Sequence, residues 1–302
     1  MKPILSIKDL YVEFTSAENF QAVRGINLDI YPGEFVALVG ESGSGKTTVS
    51  LSLMDLLPEN SRISQGKIEF SGQSKSMIFQ EPMTSLNPLI KTGKQIAEAG
   101  IAKGMSKKQA QIKAVEIAKQ IGLTDTERIF SSYPHELSGG IRQRIMIASA
   151  LITNPDLLIA DEPTTALDVT IQKQIMDLID EIKREFKTTI LLISHDLALV
   201  SNYADNISVM YAGHIVEDAP SEEFFKHPQH PYSIALLNSL PEKNPALKLK
   251  TIEGAPPSIQ EEIFGCKFHP RCEYFKAGLC DTQEPKLIEK SIYHCSACFI
   301  NL

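Results

Sequence analysis

The segment "FVALVGESGSGKTTVSLSLM" leaves this chain few folds to choose from. Its apolar opening reads as a buried strand, and from Lys46 onward Val49, Leu53, Leu56 and Leu57 recur at helical spacing until Pro58 closes the run. Between strand and helix, Gly40 to Thr47 fits the pattern G-x-x-x-x-G-K-[ST]. Gly40, Gly43 and Gly45 let the backbone curl with its N–H groups turned inward, which makes a concave anion site at the positive end of a helix. Lys46 then reaches the β- and γ-phosphates of a nucleotide and Thr47 is the candidate Mg²⁺ ligand, with Ser42, Ser44 and Thr48 in the same phosphate-binding set.

A second constellation decides what happens to such a nucleotide. In "LLIADEP" an apolar strand ends in two adjacent carboxylates. Asp161 is placed to hold Mg²⁺ through its water shell, and Glu162, just past the strand, to polarise an attacking water. The runs "PDLLIADEP" and "TTILLISHD" are short and wholly apolar between polar flanks, as strands covered on both faces of a parallel sheet require. Strands are also expected at "SIKDLYVEF", "INLDIYPGEFVALVG", "KIEF" and "SMIFQ", and helices at "TIQKQIMDLIDEIKREF" and "LALVSNYA". Residues 89–133 read as mainly helical, and past residue 220 the α/β alternation gives way to a proline-rich, loop-rich tail.

With 302 residues, 43% of them hydrophobic, the chain is long enough for a large domain plus an appendage. A formal charge of -7 argues against a nucleic-acid partner gripped by a broad basic surface. The start "MKPILSIKDLYVEF" does not read as a signal peptide, and no stretch approaches the roughly 20 apolar residues of a membrane helix, so a cytosolic protein is expected, reaching a membrane only through partners.

Between the two carboxylates and the glycine-rich loop lies "LSGGIRQR", which resembles the signature motif of the ATP-binding cassette (ABC) family. Its chemistry is intelligible in itself. Ser138, Gly139 and Gly140 offer a hydroxyl and unobstructed N–H groups at the start of a predicted helix, a second anion site, with Gln143 in the same segment. The resemblance implies that this motif completes the ATP site of another cassette, so that two ATPase subunits close around two nucleotides. It also implies roles for Gln80 in "IFQEP" beside Mg²⁺ and the attacking water, for Asp168 in "TTALD" across the dimer, and for His195 in "ISHD" at the γ-phosphate. The family's adenine-stacking aromatic corresponds best to Phe14, with Tyr11 and Phe20 as alternatives, because "TSAENFQ" blurs the alignment.

The stretches "QEPMTSLNPL", "HPQHPYSIALLNSLP" and "IEGAPPSI…GCKFHPRC" narrow the resemblance to the ATPases of oligopeptide, dipeptide and nickel importers. That group implies a second, paralogous ATPase, two transmembrane permease subunits and an external binding protein. It implies a peripheral place on the cytoplasmic face of a bacterial or archaeal membrane, and a helix around "QEPMTSLNPL" as part of the permease contact. The rival is a non-transport cassette serving a soluble enzyme complex of the phosphonate-degradation type, against which the tail sequence argues.

All five cysteines fall after residue 265, which favours one local metal site over a dispersed disulfide framework. Their spacing is not that of a zinc ribbon. Cys266, Cys272, Cys280 and Cys298 match positions at which some members of the importer group hold an iron–sulfur cluster; four thiolates suit [4Fe–4S] or Zn²⁺ equally, and Cys295 stands outside the pattern. The expected architecture is therefore a P-loop α/β ATPase core (1–88 and 156–220), a helical signature lobe (89–155) and a cysteine-bearing extension (221–302).

Overall fold

The computed structural model describes residues 2–15, 19–80, 85–165, 167–240, 252–258 and 260–301. The chain forms two compact units, Met1–Ser71 with Ile193–Leu302, and Gly72–Leu192.

In the first unit, strands β1 (Leu5–Phe14), β2 (Phe20–Ile30) and β4 (Ser61–Phe70) form an antiparallel sheet in the order β2-β1-β4. Alternation on β1 and β2 turns Leu5, Ile7, Leu10, Val12, Val23, Ile26 and Ile30 inward, all of them buried. The β1–β4 register shifts between Lys8 and Tyr11, where Asp9 takes a positive φ of 47°. Gly66 faces this bulge at φ 83°, and a Cβ there would collide with the Asp9 carbonyl.

The phosphate-loop strand β3 (Phe35–Val39) is buried at every residue. It pairs in parallel with β8 (Asn206–Tyr211), which turns back into antiparallel β9 (His214–Pro220) through Ala212 and Gly213, both at positive φ as a tight hairpin turn demands. On the other side of β9 the tail contributes its own antiparallel hairpin, β10 (Ile288–Ser291) and β11 (His294–Ser296), with Cys295 opposite Asp218. The helix after the glycine-rich loop is α1 (Lys46–Leu53).

The second unit pairs β5 (Lys75–Ile78) in parallel with β6 (Leu157–Asp161). Asp156 sets their start: its carboxylate accepts from the Gln73 and Ser74 N–H groups at 2.6 and 3.0 Å, while its carbonyl accepts from Thr189 at 2.9 Å. Between β5 and β6 the chain is helical: α2 (Thr92–Ala102), α3 (Lys107–Gln120), α4 (Thr126–Ser131) and α5 (Gly139–Leu151). These pack through small residues, Ala97, Gly100, Ala110, Ala114, Ala118 and Ala148, around Ile96, Ile117 and Ile145. The amphipathic α6 (Val169–Phe186) buries Ile175, Met176, Leu178, Ile179 and Ile182, and leads into β7 (Thr189–Ser194).

Three expectations need adjusting. The fourth strand is ten residues long rather than "KIEF" alone, α1 stops at Leu53 and leaves Leu56 about half exposed, and the tail carries strands. The helix expected around "QEPMTSLNPL" rests on residues 81–84, which lie outside the described residues. Among the described residues no helix is long and apolar enough to cross a membrane.

Candidate functional site

The glycine-rich loop leaves β3 and enters α1 with Gly45 as N-cap at φ 103°. A Cβ at Gly45 would lie 2.5 Å from the Ala22 carbonyl oxygen, so position 45 requires glycine for conformation and for space. Gly43, at φ 79°, needs only the conformation. Lys46 is buried, and its ammonium donates to the carbonyls of Gly40 (2.8 Å) and Glu41 (2.9 Å) and to the Ser44 hydroxyl (3.4 Å). Ser42, Gly43 and Thr47 are exposed, Thr48 is half-buried, and the Thr47 carbonyl accepts from Ser50 Oγ. His195, in the same unit, is exposed just after β7, and Asp196 behind it caps the short helix Leu197–Val200.

In the second unit, Asp161 ends β6 fully buried, and Glu162 follows at φ 45°, a conformation costly for any residue but glycine. Two neighbouring side chains donate to the Glu162 carboxylate. Gln80 Nε2 donates to Oε2 at 2.9 Å, and Thr165 Oγ1 donates to the same oxygen at 2.9 Å. Sequence reasoning singled out Gln80 and Glu162 but missed Thr165. The only signal for it was a hydroxyl three residues after the carboxylate.

Ser138 is the N-cap of α5, exposed together with Gly139, and its hydroxyl makes no capping bond among the described residues. The N-terminal amides of a 13-residue helix are thus presented at the surface, as an anion site requires. Gln143 is different. It is fully buried within α5, and neither amide atom has a hydrogen-bond partner among the described residues, so it does not share the exposure of Ser138 and Gly139. Asp168 is exposed and caps α6, accepting from the Ile171 N–H at 3.0 Å. Phe14 and Phe20 stack on each other with ring planes 2° apart and centroids at 5.2 Å. Tyr11 instead packs over Gly25, whose added Cβ would meet its hydroxyl at 2.6 Å.

In the tail all five cysteines are free thiols. Cys266, Cys272, Cys280 and Cys298 line one small hollow with His230, His269 and Phe268, while Cys295 sits on β11 outside it. Burial, reinforced by the neighbouring thiols, pushes Cys266 and Cys272 up to about 11 and raises Cys298. Burial also raises Cys295. The donor set suits a soft metal, yet no group of three or more His, Cys, Asp or Glu side chains among the described residues is placed to hold a metal ion. The thiols share a hollow without forming a ligand cage.

Comparison with known proteins agrees with this geometry. The family described as "ABC transporter" matches residues 23–165, and the one described as "Oligopeptide/dipeptide transporter, C-terminal region" matches residues 216–280. The oligopeptide transport ATP-binding protein AppD of Bacillus subtilis is 44% identical over 99% of this chain and 97% of its own length. The dipeptide transport ATP-binding protein DppD of the same organism is 42% identical over 99% and 95%. Among solved structures, CbiO1 from Clostridium perfringens, part of an ABC transporter complex, superposes with a TM-score of 0.65 at 26% identity, covering 75% of this chain and 92% of its own. A dimeric post-hydrolysis state of the cassette MJ0796 with ADP and phosphate gives a TM-score of 0.64 at 26% identity, covering 72% and 98%. With its glycine-rich loop, paired carboxylates and signature helix in the order this likeness requires, the chain belongs to the ABC transporter family as an ATP-binding, ATP-hydrolysing subunit, and carries the C-terminal region of the oligopeptide/dipeptide branch.

Proposed function

We propose that this protein hydrolyses ATP to drive a membrane importer of oligopeptides or dipeptides. The observation that carries the mechanism is Glu162, held at a strained φ by hydrogen bonds from Gln80 and Thr165 at the end of β6. A carboxylate whose oxygen is fixed by two donors is oriented for one task, here accepting the proton of a water that attacks the γ-phosphate. Lys46 and the loop amides, with Ser42, Ser44 and Thr48, bind the phosphates; Thr47, Gln80 and Asp161 hold Mg²⁺, which when bound neutralises charge on the transferring phosphoryl group. His195 contacts the γ-phosphate, Phe14 stacks on adenine, and Ser138, Gly139 and Gly140 with Gln143 and Asp168 serve the nucleotide of a second cassette. Gln143, buried within α5, would act on that nucleotide only through the helix it belongs to.

The functional division follows the chemistry: an ATP-binding core of residues 1–88 and 156–220, a signature lobe of 89–155, and an extension of 221–302. The partners are a second, paralogous ATPase, two transmembrane permeases and an external peptide-binding protein, with this subunit peripheral on the cytoplasmic face. The names of the relatives and the match over residues 216–280 support import over service in a soluble enzyme complex. Four thiols in one hollow are the donor set a [4Fe–4S] cluster would take, with Zn²⁺ the alternative; as placed they form no ligand cage, so the assignment rests on donor type and on Cys266, Cys272, Cys280 and Cys298 matching the importer-group positions.

One purification tests these assignments. The protein, isolated anaerobically with its co-purifying partners, is expected to bring two membrane subunits and to contain iron and sulfide, and Glu162→Gln is expected to lower hydrolysis by about a hundredfold or more. A soluble complex without membrane subunits, or turnover indifferent to Glu162, overturns the importer mechanism. Stoichiometric zinc, or no metal, replaces the cluster assignment.

A further inference from the structure

The cysteine-bearing tail reaches the glycine-rich loop through one side chain. Arg271 ends a single 3₁₀ turn, His269–Arg271, set between Cys266 and Cys272. Its guanidinium grips Glu41 with both arms, Nη1 donating to Oε2 at 2.7 Å and Nη2 to Oε1 at 3.0 Å. Nε donates to the Glu253 carbonyl at 3.1 Å, and the guanidinium carbon lies 5.9 Å from the Tyr211 ring centroid and 6.0 Å from that of Phe268. The Arg271 side chain is only 6% exposed and that of Glu41 24%, so the pair is largely withdrawn from water.

Glu41 is the second residue of the Gly40–Thr47 loop. Its N–H donates to the Tyr232 hydroxyl at 2.9 Å and its carbonyl accepts from Lys46 at 2.9 Å, so side chain, N–H and carbonyl each have a partner. Two of its partners, Arg271 and Tyr232, come from the last third of the chain. Phe268 completes the support, its ring centroid 5.3 Å from those of both Tyr211 and Tyr232.

We infer that Arg271 is a positioning residue for nucleotide binding, fixing the first turn of the phosphate loop and neutralising the carboxylate that this loop carries. Two physical effects act together. A glycine- and serine-rich loop left unclamped must be ordered when the ligand arrives, which costs affinity. A carboxylate left unpaired beside a site for a polyanion repels it. The bidentate fork is specific to arginine, since lysine supplies the charge but a single point of attachment. This inference rests on reading Gly40–Thr47 as the ATP phosphate loop.

The test measures Mg·ATP binding to the full-length chain by calorimetry, alongside the melting temperature of each variant. Arg271→Ala is expected to weaken binding about fivefold to twentyfold, the size of a lost charge-assisted contact, and Arg271→Lys by less. Glu41→Gln removes the repulsive charge, so adding it to Arg271→Ala is expected to restore part of the lost affinity. A purely structural arginine would give recovery in the melting temperature with no change in affinity among the folded variants. If Arg271→Ala does not fold, Arg271→Gln, which is also neutral, makes the same comparison with and without Glu41→Gln. Folded Arg271 variants that bind Mg·ATP as the parent does, or an absence of recovery with Glu41→Gln, overturn the inference. Lys46→Ala serves as reference: its failure to weaken binding would overturn the phosphate-loop reading as well, whereas loss with Lys46→Ala but not with the Arg271 variants overturns the inference alone.

Discussion

Thr165 shows how a short polar side chain serves a longer one. Its hydroxyl and the Gln80 amide donate to the same oxygen of Glu162. Thr165→Val keeps the shape and removes one donor, and the expected outcome is a turnover lowered about tenfold with the KM for ATP little changed, read from steady-state hydrolysis in the intact complex. A second prediction concerns His214. Burial lowers its pKa to about 4, outweighing the favourable Glu284 carboxylate 3.5 Å away and joined by repulsion from Lys267 and Arg24. The folded state thus prefers the neutral ring, whereas the unfolded chain binds a proton near pH 6.5. Its contribution is complete above about pH 6.5 and is lost progressively as the pH falls toward 4, so melting temperature should decline across that window and the decline should be shallower in His214→Gln. The residues of the glycine-rich loop and of "ADEP" were legible because their spacing is itself the chemistry. Thr165 and Arg271 were not, because each acquires its meaning from a partner 3 or 230 positions away that only folding selects.

Elements were legible where one face is buried and the pattern says so. The wholly apolar β6 and β7, and α6 with its inward Ile175, Ile179 and Ile182, fall where their patterns place them. Strand β4 hid its length because none of its ten residues is buried: backbone bonds to β1, from Phe70 back to Ser61, hold it rather than an apolar stripe. The tail hairpin hid for a related reason, since "IEKS" and "HCS" are too short and polar to announce strands before β9 offers them an edge. Helix α3 carries a sharper signal, the capping box in which Ser106 Oγ accepts from the Gln109 N–H at 3.3 Å and Gln109 Oε1 accepts from the Ser106 N–H at 3.0 Å. Ser106→Ala is expected to cost about 1 kcal/mol, measured as a lower denaturation midpoint with an unchanged slope.

Across the whole molecule, the sequence motifs pointed to one catalytic apparatus, yet the last third of the chain proves to be structural support for its first third. Glu217 holds the supporting part itself together. Fully buried, its carboxylate accepts from the N–H groups of Gln229 (2.6 Å) and His230 (3.0 Å) and lies 2.7 Å from His294 Nε2, tying β9, the turn before Pro231 and β11 together. The pairing of β11 with β9 has a consequence for behaviour in solution. Strand β9 without β11 would present a row of open N–H and C=O groups, a template on which the same strand of another molecule could add. The intact chain ends its sheet instead on β10, four residues long with Glu289 and Lys290 at its centre, a poor template for self-association. Deleting residues 288–302 should therefore yield protein that grows in mass with concentration, visible by light scattering. The tail hairpin, on this view, also guards the subunit against its own copies while it waits for its assembly partners.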